Sequence, residues 1–196
     1  TLENVKGFAI QGFGNEMVHS GDLSIVYEAG TGVFTPGHGP ETKKLLYEDL
    51  DDGIRSVFDR VRSRVLTDAP EGVRRGCHLQ GNEFNVTLKP NFETGSDRSR
   101  EVVDEALVHQ LDLLGETVAE ELDLDAEDPG AWTRGYYAAQ DPEIRGVLET
   151  SGGPPGGDEE VPGEVHEVLE RIDVAYYHAD AAEIGSLELN KVVGVQ

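Results

Sequence analysis

Four groups of residues have the types and spacings from which chemistry is usually built. The first is a glycine-rich run, Gly32-Val33-Phe34-Thr35-Pro36-Gly37, with the glycine spacing of a phosphate-binding loop. In such a loop a Lys reaches the phosphates and a Ser or Thr hydroxyl holds magnesium. Here His38 and Gly39 stand in those two places, so the run reads as a structural or interaction loop. The second group is the histidines, His19, His38, His78, His109, His166 and His178. They form no His-x-His and no His-Glu-x-x-His pair, so a zinc site would have to assemble from distant residues. The third is Cys77 with His78. A lone cysteine excludes an intrachain disulfide and a cysteine-rich metal centre. Neighbours in a strand point to opposite faces, which disfavours a Cys–His couple, and Cys77 reads as a small buried hydrophobe. There is no Gly-x-Ser-x-Gly nucleophile elbow.

The fourth group stands out against the rest of the chain. Arg55, Arg60, Arg62, Arg64, Arg74 and Arg75 place six of sixteen cations in one short stretch, beside only Asp59, Asp68 and Glu71. Arg55 and Arg62 are seven apart, hence on one helix face. One use for such a patch is pairing with acidic side chains of the same chain. The other is contact with a neighbouring subunit, another protein or a phosphate backbone. Among these contacts a protein interface is favoured, because Arg suits bidentate pairs between acidic surfaces.

The chain around these residues has 196 residues, enough for one domain with a real core. Thirty-nine acidic residues against sixteen basic ones leave a net charge of −23. At low salt that is heavy self-repulsion. At about 1 M salt the Debye length falls to about 3 Å and the repulsion is screened. Acidic composition with five Lys against eleven Arg is the pattern of proteins adapted to molar salt, in halophilic archaea and their viruses. The same charge argues against wrapping nucleic acid and against anionic membranes. No apolar run approaches the roughly 18 residues that would span a bilayer, and residues 1–12 show no basic-then-apolar secretory signal. In so acidic a chain, paired carboxylates carry no information about catalysis.

The elements that must position these groups read as an α+β protein. Phe8–Ile10 and Leu23–Tyr27 are strand-like, with a turn at Gly12–Asn15 and a long loop over about 30–40. Leu46, Leu50, Ile54, Val57, Val61 and Val65 give an apolar stripe, predicting a helix from Glu41 to Leu66 that Ala69-Pro70-Glu71-Gly72 stops. Arg75–Gln80 and Phe84–Leu88 read as a hairpin turning at Gly81-Asn82. Val103, Leu107, Leu111, Leu114, Val118 and Leu122 predict a second long helix, Arg98 to about Leu124, with an acidic outer face, ended by Asp128-Pro129-Gly130. Asp141 caps a short helix with Pro142 at its first turn. A linker-like segment spans about 151–163, and Gly163–Leu169 reads as a further short helix. Ile172–Tyr177 and Leu187–Val195 read as antiparallel strands. The expected architecture is a single domain over 1–196, a two-layer sandwich of an antiparallel sheet with two long amphipathic helices.

One stretch resembles a known family. Tyr27-Glu28-Ala29-Gly30-Thr31-Gly32 resembles the tyrosine, glutamate, glycine-threonine signature of the tail-completion (neck) proteins of long-tailed viruses, with Ala29 between Glu28 and Gly30. Arg60 to Gly72, containing Ala69-Pro70 and followed by strands, resembles that family's helix, alanine-proline, glycine and sheet, although here it follows the glutamate-glycine-threonine element. The resemblance implies a virion protein, a ring at the head–tail junction or in the tail, made of copies of itself and neighbouring virion proteins and assembled in the host cytoplasm. On this reading the chain is non-enzymatic, needs no cofactor and no metal, and uses the six arginines at its interface. The alternative is a small halophilic enzyme with a site near loop 30–40, built around His38 and Glu28.

Overall fold

The computed structural model describes residues 7–12, 15–20, 23–27, 32–34, 44–46, 51–80, 85–91, 93–95, 97–151, 161–179 and 182–188. Among them lie nine strands and six helices, all strand pairs being antiparallel, an α+β chain. No helix among the described residues is long and apolar enough to cross a membrane.

The first sheet is an antiparallel meander in the order β1-β2-β3-β4-β5. Its strands are β1 (Gly7–Gly12), β2 (Asn15–Ser20), β3 (Leu23–Tyr27), β4 (Gly32–Phe34) and β5 (Lys44–Leu46). In the register of the first two pairs, Gly12 faces Asn15 and Ser20 faces Leu23. Three of these strands correct the sequence reading. β2 was not expected. β4 lies inside the stretch read as a loop over 30–40, where β-branched Val33 beside Phe34 suits a strand. β5 takes Leu46 out of the long helix expected from Glu41, and Leu46 pairs with Gly32 instead.

That helix starts later, as α1 (Asp52–Arg64). Asp51 is the reason: its carboxylate accepts from the amides of Gly53 at 2.9 Å and Ile54 at 3.3 Å, satisfying donors that a helix start leaves bare. Ile54, Val57, Phe58 and Val61 form the buried face. Pro70, expected to stop a helix, also begins α2 (Glu71–Gly76), whose Val73 is fully buried. The hairpin follows as β6 (Cys77–Gln80) and β7 (Asn85–Pro90), with Cys77 opposite Pro90 and Gln80 opposite Thr87. Its expected turn, Gly81-Asn82, falls outside the described residues. Val86 and Leu88 are buried and so is Thr87 between them, so β7 is covered on both faces.

α3 (Ser99–Glu121) is the hub. Its buried side chains, from Val102 to Ala119, wrap most of its circumference. Each fully buried Leu contributes about 1.5–3 kcal/mol relative to an exposed one. α3 ends where Asp123 adopts a left-handed conformation, φ 55°. The Leu124 amide then reaches back to the Ala119 carbonyl at 2.9 Å, closing the helix end. The side chain of Gln110, almost fully buried, donates to the Val86 carbonyl at 3.2 Å and ties the helix to β7.

The region read as irregular is helical: α4 (Pro129–Gln140) and α5 (Pro142–Ser151). Asp128 accepts from the Ala131 amide and Asp141 from the Glu143 amide, each with proline at the first helical position. α6 (Gly163–Leu169) matches expectation, and the linker-like residues 152–160 lie outside the described ones. The last described elements are β8 (Asp173–Ala179) and β9 (Ala182–Glu188); the rest of the expected strand, 189–195, lies outside the described residues. β9 begins before the expected Leu187, because it pairs along all of β8, from Asp173–Glu188 to Ala179–Ala182. The second sheet has the order β6-β7-β9-β8. The buried Tyr137 hydroxyl, donating to the Ile172 carbonyl at 2.9 Å, fastens α4 to the start of β8.

Candidate functional site

α3 leaves one side to solvent, and that strip carries Glu101, Asp104, Glu105, Asp112, Glu116 and Glu120 at spacings of three, one, seven, four and four. Over its N-terminal half lies an open groove of about 790 Å³. The floor comes from α3, with Arg100 and His109 among the carboxylates. One wall is Pro70 at the start of α2, and the other is Thr150 and Ser151 at the end of α5. A hollow of about 410 Å³ continues past Asp104 to Gly146 of α5 and Tyr176 of β8. The Tyr176 hydroxyl donates to Asp104 and holds that carboxylate at the junction.

The two halves of the strip differ in their counter-charges. In the C-terminal half, Arg64 pairs with Glu116 at 2.8 Å and Glu120 at 3.3 Å, and with Asp68 at 2.8 Å. Arg60 pairs with Glu120 at 3.1 Å and Glu121 at 3.5 Å. The hydrogen bond from Arg64 holds the Asp68 carboxyl below its ordinary range, and the Arg64 guanidinium is raised in turn, first by Asp68. Asp112, in the middle of the helix, meets the guanidinium of Arg134, which is 5% exposed and reaches Asp128 at 2.6 Å as well. Burial raises the Asp112 carboxyl in spite of that partner. The groove half is different: Glu101 and Glu105 have no ion pair among the described residues.

The six arginines picked from the sequence therefore separate. Arg60 and Arg64 lie on α1 against α3 and are paired within the chain. Arg55 pairs with Asp52, and Arg62 with Asp59 at 3.0 Å, both along α1 itself. Arg74 and Arg75 project from the outer side of α2. Arg75 reaches Glu71 at 3.0 Å with both side chains mostly in water, and Arg74 is exposed with no ion pair among the described residues.

No protein-family model, curated protein or solved structure matches this chain.

The remaining candidates are spread apart. His38 and Glu28 fall outside the described residues, as do Glu28 to Thr31 of the family-like stretch. Nε2 of His109 donates to the Val65 carbonyl at 2.9 Å, so this ring fastens α3 to the end of α1. His166 lies beside Glu170 at 3.4 Å and edge-on to Tyr136. Cys77 is buried and His78 exposed, on opposite sides of β6 as strand geometry requires. Burial, aided by the charge of Glu105, pushes the Cys77 thiol up to about 11. Among the described residues, no three His, Cys, Asp or Glu side chains are grouped as metal ligands. The groove went unread in the sequence because its carboxylates look like surface acids. The available signal was the absence of any Lys, and of any Arg but Arg100, between Ser99 and Leu122.

Proposed function

We propose that this chain is a non-enzymatic structural or assembly subunit of a tailed virus of a halophilic archaeon, a neck, tail-completion or tail component that forms an oligomeric ring. The observation that carries the reading is the division of charge along α3. The chain neutralises the half of the strip that α1 covers with its own arginines, and keeps an acidic groove open over the other half, with exposed Arg74 and Arg75 on α2, the helix whose Pro70 start walls that groove. A building block that must find acidic neighbours in molar salt needs such contacts. With a Debye length of about 3 Å, charges attract only when they touch. The acidic, Lys-poor composition and the neck-like residues Tyr27 to Gly32 support the same reading.

The scaffold we infer for it is one domain built as a two-layer sandwich, the β6-β7-β9-β8 sheet on one side and α1 and α3 on the other. The tie from Gln110 to β7 and that from Tyr176 to Asp104 of α3 support this arrangement. The function is tested by absolute mass from light scattering after size exclusion, in buffer containing molar potassium chloride. A discrete oligomer of fixed mass is the expected result. A monomer at every concentration overturns the ring.

A further inference from the structure

We propose that the groove over α3 is the socket for a second copy of this chain, and that the arginine corner of α2, Arg74 with Arg75, is what enters it. This rests on the assembly reading above and names the partner and the contact.

Charge complementarity within one chain points to the occupant. The groove floor offers Glu101 and Glu105 without ion pairs among the described residues, with Asp97 and Asp104 beside them. The chain's own arginines answer the acids of the other half of α3 at contact distance, so Arg–carboxylate contact is the means it already uses to cover this helix. Arg74 and Arg75 are exposed on a helix that is anchored in the core by buried Val73, so both heads are accessible from solvent. At about 790 Å³ the groove has room for two arginine heads and the turn that carries them. Val108 on the floor and Pro70 on the wall give apolar surface for the arginine stems to lie against. Arg is suited to the task, since its planar fork binds carboxylates bidentately and sheds water more readily than Lys. Molar salt then filters the contact, screening looser attractions between these acidic chains and leaving the seated pairs.

The test is a charge-swap complementation on the full chain in molar potassium chloride, read by light scattering and sedimentation. Arg74→Glu with Arg75→Glu is expected to raise the concentration for half-assembly about tenfold or more, and so is Glu101→Arg with Glu105→Arg. Mixing the two variants is expected to restore assembly, because each reversed corner now meets a reversed groove. Circular dichroism checks that both variants fold. If Glu105→Arg disturbs the packing of α2, Glu101→Gln with Glu105→Gln keeps the shape and is expected to weaken assembly in the same direction. Parent and variants assembling alike overturns the socket while leaving the ring reading standing. Folded variants that fail alone and also fail when mixed overturn it too. Assembly that a chelator abolishes and the arginine swaps do not touch assigns the groove to a bridging divalent cation. A parent chain that stays monomeric removes both readings.

Discussion

Replacing Gly115 by Ala sets two effects of opposite sign against each other. In an exposed helix interior the change favours the helix by about 1 kcal/mol. Gly115, however, is where α3 crosses the first turn of α4. A Cβ there would overlap the Pro129 carbonyl oxygen, with the Pro129 carbonyl carbon at 2.7 Å and the Gly130 Cα at 2.9 Å. All three are backbone atoms, so no side chain can swing aside. Overpacking of this kind costs about 1–3 kcal/mol, and a backbone clash belongs at the upper end. The net expectation is a loss of about 2 kcal/mol, which in a chain of this size lowers the melting temperature by about 4–8 °C. Gly146 of α5 is the control, because a Cβ there meets nothing within 4 Å. Gly146→Ala is expected to stabilise by about 0.5–1 kcal/mol. The assay is thermal and urea unfolding by circular dichroism in molar potassium chloride, urea being chosen because guanidinium would alter the salt. If Gly115→Ala is as stable as Gly146→Ala, the close approach of α3 and α4 is wrong, and so is the placing of Asp112 beneath Arg134.

Three further outcomes follow from the same packing. Arg134→Met leaves Asp112 and Asp128 facing each other without their cation. It is expected to cost about 2 kcal/mol in urea unfolding, below the 3–5 typical of a buried pair because both carboxylates keep some water; an unchanged midpoint would show that the triad is not formed. The raised Cys77 thiol means that burial of the neutral group contributes stability in full below the unfolded pKa of about 8.5, and that this is lost as pH rises through about 11. Iodoacetamide at pH 8 should therefore label the folded chain at least about 100-fold more slowly than the urea-unfolded one, and equal rates would place Cys77 at the surface. Dialysis from molar to about 0.1 M salt lengthens the Debye length to about 10 Å. With a net charge of −23 the melting temperature is expected to fall steeply, and an unchanged melt would remove the salt-adaptation reading.

Elements announced by local chemistry were legible. Asp141-Pro142 marked α5, and the stripe Val103 to Leu122 marked the body of α3 and its start within one residue. The failures came where one residue ends an element and starts another. Pro70 and Asp128-Pro129 were read as stops, and both are starts, because a proline that cannot continue a helix is well placed to open one. The end of α3 was missed because Asp123, not glycine, takes the left-handed turn. Leu46 and Leu50 continue the stripe of the first helix, so periodicity alone extends it beyond its true start at Asp52. Periodicity cannot show that Leu46 pairs with Gly32 across the sheet, nor that Asp51 caps the helix. Of the candidate site, the arginines were visible and their separation into paired and exposed members was not, since the i, i+52 and i, i+60 partners of Arg64 and Arg60 exist only in the folded chain.

The strand order β6-β7-β9-β8 also fixes an order in time. β7 finds β6 at once through a hairpin, but its other edge is filled by β9, with Asn85 opposite Glu188, about 100 residues later. At roughly 5–20 residues per second of synthesis, that edge waits on the order of 5–20 s for its partner. During that interval α3 can settle over Val86 and Leu88, while the row of backbone donors and acceptors along β7 stays open, a template for pairing with another chain. A chain halted before Ala182 is expected to aggregate through that edge. Pairing of β9 is therefore the step that closes the open edge of this sheet and ends the nascent chain's exposure to wrong strand partners.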